Sequence, residues 1–317
     1  MNKAKEVELI CSDFSAALDL LRQAGLRLDL IHPADAPHTA VLSSSDGKVR
    51  LTANPDEAYL SDDLPEFRPE FVLTRSAGAP RQGRAGMSYR DLIPSRLGGR
   101  YAASEIVIES AGPVADWTHF HRVALQLIYV RRGWVKVVYE DQGEPFVMEA
   151  GDLVLQPPGI RHQVLESSAA VEVIEITSPA VHETLSDHEM QLPNGTNTNR
   201  QFGSQRFLRH VAANAVFEAG ADREAQRTEA LSASGGLIDV LIVTAKRGAP
   251  LRFEPHDGEL VFGFVLDGSA SLQFDNEFDL QPGDAFVIPP CEPWGLSRAT
   301  PDFRLLHVLT NQLGTSL

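Results

Sequence analysis

Three histidines carry the most definite chemistry in this sequence. His119 and His121 stand two apart in Trp117-Thr118-His119-Phe120-His121, and His162 follows a Pro157-Pro158-Gly159 turn. Side chains on a strand alternate faces, so His119 and His121 point the same way and can hold one metal ion between them. If His162 enters the next strand of the same small barrel, three neutral imidazoles converge. Such a set suits Fe, Mn, Ni, Cu or Zn, and the ligand types alone do not choose among these metals. Gln126, five residues after His121, is a candidate fourth ligand and catalytic residue. Its amide oxygen can coordinate, or it can hydrogen-bond a bound water or substrate.

The elements that must position these residues read as short strands. Gly133 marks a turn before Val135–Tyr139, Gly151 another before Leu153–Gln156, and Pro157-Pro158-Gly159 a third before Gln163–Leu165. With Ser104–Ser110, Leu125–Arg131, Phe146–Met148 and Val171–Thr177, the pattern is that of a β-sandwich or barrel. Glu172 and Glu175 cannot share a face of their strand, so at most one points inward, where it would be a candidate acid or base.

The stretch from Trp117 to Glu166 resembles the two motifs of the cupin superfamily. His119, His121 and Gly133 match the first motif, with Gln126 in its glutamate place and Gly112 one residue too far upstream for its leading glycine. Gly151, Pro157, Gly159 and His162 match the second motif at every interval, with Glu166 replacing its final asparagine. A second copy follows. Gly268 stands twelve residues after His256, as Gly133 does after His121. Gly283, Pro289, Cys291 and Trp294 repeat the later spacing. An internal repeat of this kind predicts two barrels in tandem. In the second copy Glu254 takes the place of the first histidine, Val261 that of the carboxylate and Trp294 that of the last histidine, so a metal-free barrel serving stability or lid formation is expected.

The expected fold is therefore mainly β, two tandem cupin (double-stranded β-helix, jelly-roll) barrels with a small α+β N-terminal segment. The expected division is a module at 1–54, an irregular arm at 55–100, a metal-binding barrel at 101–178, a connection at 179–206 and a degenerate barrel at 207–317. In the module, strands at 6–12, Leu26–Ile31, Thr39–Ser43 and Lys48–Thr52 flank a helix over Phe14–Ala24, capped by Asp13 and ended by Gly25. This order weakly resembles half of a glyoxalase-like module, and a structural or dimerising appendage is the plainer reading. The arm is rich in proline and glycine, and its arginines Arg75, Arg81, Arg84, Arg90, Arg96 and Arg100 read mostly as solvated, with presentation to an anionic substrate as the functional alternative. In the connection, His182 and His188 beside Asp187 hint at a second metal, against the plainer reading of solvated loop histidines.

The chain has 317 residues and a formal net charge of −15. That balance argues against nucleic acid, which needs a basic footprint, and against anionic membranes. Two cysteines, Cys11 and Cys291, indicate no disulfide framework. With neither a signal-peptide core near the start nor an apolar run of membrane-spanning length, a soluble cytoplasmic protein is expected.

The resemblance extends to gentisate-type and hydroxynaphthoate ring-cleaving dioxygenases, bicupins that use three histidines on iron without a carboxylate, and to diketone-cleaving single cupins. It implies a metal-dependent dioxygenase cleaving a C–C bond of an aromatic or diketone-type molecule, with one divalent ion, Fe(II) favoured and Mn, Ni or Zn as alternatives. Three neutral imidazoles and a neutral Gln126 leave such an ion at its full charge, suited to an anionic small-molecule substrate. Arg161, beside His162, is a candidate catalytic clamp for an anionic group. Trp117, Tyr129 and Trp134 are candidate pocket walls, or simply core. Two other functions stand beside this one: a non-catalytic small-molecule-binding or regulatory cupin, and a redox-neutral isomerase or lyase. A homodimer is expected, since barrels of this superfamily often pair edges that would otherwise be exposed.

Overall fold

The computed structural model describes residues 6–55, 63–83, 86–246 and 249–316; Arg84 lies outside them. Near the start, Asp13 caps the helix Phe14–Gln23 by accepting the Ala16 N–H at 3.0 Å. Gly25, at φ +89°, then reverses the chain in a conformation open to glycine. Leu18 from the helix packs on Leu28, Ile31, Ala40, Leu42 and Leu51 of the strands Arg27–His32, Thr39–Ser44 and Gly47–Thr52. The strand Glu6–Ile10 pairs in parallel with Gly47–Thr52. This small sheet does not stand apart. Arg27–His32 pairs with Thr184–Ser186, which pairs in turn with His119–His121. The module thus extends a sheet of the first barrel.

The first barrel is two facing sheets. One continues from Thr184–Ser186 and His119–His121 through His162–Ser167 and Trp134–Tyr139 to Phe146–Glu149. The other centres on Leu153–Leu155, Leu125–Arg132, Val171–Ser178 and Ala102–Ile108. Strand parity sorts the second sheet's residues, because alternate side chains face opposite ways. Leu125, Leu127, Tyr129, Ile174 and Ile176 face outward into a core shared with Val240, Ile242, Phe262, Phe264, Leu306 and Val308 of the second barrel. Gln126, Ile128, Val171, Val173 and Glu175 face the first barrel's interior. The second barrel repeats the design with Ile238–Ala245, Arg304–Thr310, Val261–Asp267 and Ala285–Ile288 opposite Leu251–Phe253, Trp294–Ser297, Ala270–Phe274 and Asn276–Leu280. The molecule is mainly β, with two jelly-roll barrels in tandem and a small helical segment, as the motif spacing implies.

Each barrel also borrows a strand. Val72–Thr74 pairs with Ala285–Ile288 of the second barrel, and Leu208–His210 pairs with Leu153–Leu155 of the first. The stretch 55–100, expected to be irregular, therefore holds ordered pieces: Val72–Thr74, Arg81–Gln82 and Ser88–Asp91. Strands of two to four residues are too short to show a period, but they cover sheet edges. Arginines of the arm reach both barrels and the N-terminal module. Arg100 makes a two-pronged ion pair with Glu259 at 2.9 and 2.8 Å, both side chains buried. Arg90 pairs with Glu105 and donates to the Gly283 carbonyl at 2.9 Å, and Arg75 pairs with Asp284 at 2.8 Å. Arg81 and Arg96 both reach Asp35 of the N-terminal module. Cys11 and Cys291 are free thiols. Among the described residues no helix is long and apolar enough to cross a membrane.

Candidate metal centre

The sheet register brings the histidines together. His119 and His162 are direct cross-strand partners, and their rings lie 4.3 Å apart. The His121 ring lies 5.0 Å from His119 and 5.2 Å from His162. One nitrogen from each falls within 4.8 Å of the others, and all three side chains are buried.

Each ring is oriented through Nδ1. His119 Nδ1 donates to the Trp117 carbonyl at 2.6 Å, with the buried Asp116 carboxylate at 3.5 Å. His162 Nδ1 donates to the Ile160 carbonyl at 3.1 Å. A carbonyl only accepts, so both rings carry their proton on Nδ1 and their lone pair on Nε2. His121 Nδ1 meets the Thr184 hydroxyl at 3.0 Å, a group that serves either tautomer. Neutral imidazoles fixed by second partners in this way are what a divalent ion of the imidazole-binding class requires. The donor set therefore fits such an ion.

A chain of amides runs beside the histidines. Gln156 donates through Nε2 to Gln126 Oε1 at 3.3 Å and to His162 Nε2 at 3.2 Å, and its own Oε1 accepts the Tyr139 hydroxyl at 3.0 Å. Gln126 in turn donates to Glu175 Oε1 at 2.8 Å. Tyr139 stacks on the His162 ring, 5.4 Å between centroids. Burial pushes its phenol pKa well above the ordinary value, so the hydroxyl stays a donor. These groups and the His121 and His162 rings close one end of a cavity of about 80 Å³, whose remaining wall is apolar apart from Tyr89. Ile106, Ile108, Ile128, Val135, Val137, Met148, Val164, Val171 and Val173 line it, and Ala34 of the N-terminal module and Met87 of the arm help to cover it. Of the two glutamates on Val171–Ser178, Glu175 faces this cavity and Glu172 pairs outside with Arg131 and Arg132.

Other candidate residues lie elsewhere. Arg161 does not line the cavity: its Nε bonds Asp187 at 2.9 Å and its guanidinium covers the Phe120 ring at 4.3 Å. Arg161 is next in sequence to His162, but parity turns it the other way. Tyr129 belongs to the core between the barrels, Trp117 packs on the N-terminal module, and Trp134 is not a cavity wall. His182, His188 and Asp187 do not converge. His182 is buried edge-on against the His121 ring at 5.3 Å, His188 donates to the Leu28 carbonyl, and Asp187 faces Arg161. None of the arm's described arginines lines the cavity. Asp116, Gln156 and Thr184 were not singled out from sequence. Gln156 stands inside the second motif, just before Pro157, where an inward polar residue could have been noticed. Thr184 arrives from a distant connection and left no local signal.

In the second barrel the equivalent positions are filled. Phe253 is the cross-strand partner of Trp294, as His119 is of His162. The residue in the first histidine's place is therefore Phe253 and not Glu254, a correction caused by one extra residue between Phe253 and Val261. The Phe253 and Trp294 rings stack 3.9 Å apart and 2° from parallel. His307 stands edge-on to both, opposite Gly263, as Glu175 stands opposite Ile128 in the first barrel.

Comparison with known proteins agrees with this architecture. The family model described as "Cupin domain" matches twice, at residues 106–177 and 241–309, one match on each barrel. A search of curated protein sequences gave no match. Among solved structures, the chain is similar to oxalate decarboxylase from Bacillus subtilis at pH 4.6, with 13% identity, 81% of this chain and 80% of that chain covered, and a TM-score of 0.57. It is also similar to the Lactobacillus farciminis oxalate decarboxylase formate complex, with 14% identity, 83% and 90% covered, and a TM-score of 0.55. At such identity the likeness speaks for fold alone. The chain thus carries two cupin domains in tandem, one on each barrel.

Proposed function

We propose that the first barrel holds one divalent metal ion on His119, His121 and His162, and that the chain is a metal-dependent enzyme acting on a small molecule in the adjoining cavity. The observation that carries this reading is the convergence of three buried, pre-oriented imidazoles, two of which, His121 and His162, stand at the polar end of a largely apolar cavity. We assign the ligand set to the three histidines alone. Gln126 is already committed on both sides of its amide, to Glu175 and to Gln156, and serves to position them. When bound, the ion supplies Lewis acidity and, if it is Fe(II), access to oxygen chemistry. The residues around it bind the apolar body, exclude water and hold the polar chain in place.

The reaction we favour is oxidative cleavage of a C–C bond with Fe(II). The size of the cavity favours a compact molecule of the dicarbonyl type over a bicyclic aromatic acid. A redox-neutral lyase or isomerase is the second reading, supported by Glu175, since a carboxylate in the cavity equally serves proton movement without an oxidant. The test is metal analysis of protein purified without oxygen, alongside His162→Ala, followed by oxygen-uptake measurements with β-diketones, gentisate and hydroxynaphthoates. Near-stoichiometric iron that is lost in the variant, with oxygen uptake on one substrate class, is the expected result. Stoichiometric metal without oxygen uptake on any of them would move the assignment to the redox-neutral reading, and metal retained in His162→Ala would refute the site.

A further inference from the structure

We infer that the N-terminal module is part of the first barrel's binding site: its loop 33–38 walls the cavity beside the metal centre with Ala34, and Asp35, clasped by Arg96 and Arg81, is the positioning residue that holds this wall in place. This inference rests on the metal-centre reading above. The sheet register carries the loop to the site. His121 stands opposite Thr184, and Thr184 opposite Ile31, so the strand Arg27–His32 ends beside a metal-binding histidine. The chain then leaves the sheet and returns in Thr39–Ser44. The His38 N–H donates to the His32 carbonyl at 3.0 Å and closes the loop. Within it, Ala34 lines the cavity.

The loop has no helix or strand of its own, so side chains must fix it. Asp35 is buried, and its Oδ2 accepts from Arg96 at 2.5 Å and from Arg81 at 3.3 Å. Both guanidiniums also pair with Asp91, which gives a cluster of two acids and two bases. The other three members are tied to the barrel. Arg81–Gln82 pairs with Ser88–Asp91, and that strand pairs with Ala102–Ile108, while Arg96 stands in the turn just ahead of it. The two segments also meet directly. A Cβ at Gly83 would be driven into the Tyr89 ring and against the Asp35 carbonyl, so glycine lets them close on each other. A buried carboxylate whose cationic partners are weakened is better placed in water, so loosening the clasp draws Asp35, and Ala34 with it, away from the cavity. At position 34 itself a methyl group leaves open the space that a larger side chain would fill.

The experiment is the rate at which the chromogenic chelator 4-(2-pyridylazo)resorcinol strips the divalent ion from loaded wild-type protein, Ala34→Phe and Asp35→Asn, with the equilibrium metal affinity of each measured by competition. Neither substitution touches the three histidines. Ala34→Phe adds a ring to the wall, and its release should be at least about fivefold slower than wild type at equal affinity. Asp35→Asn keeps the shape and weakens the clasp, and its release should be at least about threefold faster at equal affinity. A residue that only stabilised the fold would move rate and affinity together, so the split between them reads the wall itself. Wild-type rates in both variants would overturn the inference and leave the metal centre standing, as would rates that change only in proportion to affinity. Should Ala34→Phe fail to fold or load, Ala34→Val applies the same criterion with a smaller side chain. Wild-type protein that takes up no metal would overturn the metal-centre reading and this inference with it.

Discussion

His307 should make the second barrel sensitive to mild acid. The ring is buried, and among the described residues neither nitrogen has a hydrogen-bond partner. Burial, with smaller contributions from Arg223 and His256, lowers its pKa from 6.5 to about 3. The unfolded chain therefore takes up a proton below pH 6.5 that the folded chain refuses until about pH 3. Stability is unaffected well above 6.5 and falls as the pH drops through that window. At pH 5, 1.5 units into the window, one unit being about 1.4 kcal/mol, the loss is about 2 kcal/mol. The perturbation is His307→Leu, which removes the titrating group from the aromatic nest of Phe253 and Trp294. Urea unfolding followed by tryptophan fluorescence at pH 7 and pH 5, at one ionic strength, gives the assay. Every other group titrates in both proteins and cancels in the difference. Wild type should lose about 2 kcal/mol more than the variant between the two pH values. Equal losses would refute the reasoning, because they would mean that the folded protein accommodates a protonated His307.

Three further outcomes can be checked. Arg100→Ala leaves the buried Glu259 carboxylate without its two-pronged partner, so chemical denaturation should show a loss of about 3–5 kcal/mol. Asp116→Asn weakens the carboxylate beside His119 Nδ1, and competition with a chelator should show metal affinity down by about 10–100-fold with the fold retained by circular dichroism. Gly263→Ala drives a Cβ into the Phe286 ring, so the denaturation midpoint should fall by the equivalent of about 1–3 kcal/mol.

Much of this architecture was legible in the residues. Turns at Gly133, Gly151 and Gly159, all at positive φ, fall where the spacing placed them, and the strands between them follow the alternation of apolar residues. Parity even limited Glu172 and Glu175 to opposite faces, though not which face was which. The second barrel's first motif was read one residue out of place, because a single extra residue in a loop is invisible to spacing taken from the next glycine. The short strands at Val72–Thr74 and Leu208–His210 escaped for a related reason: their partners lie in the other barrel, and nothing local encodes that pairing.

Residue types and intervals by themselves determined that this chain folds as two repeated barrels, and that three histidines of the first share one inward face. Those are local facts, fixed by the two-residue period of a strand and by where glycine and proline turn it. Only the tertiary structure decided that Arg161 leaves the cavity for Asp187, that Glu175 enters it, and that Phe253 and Trp294 fill the second barrel's site. Such choices depend on which sheet covers which face and on charges far apart in the chain, and these become neighbours only when the barrels close.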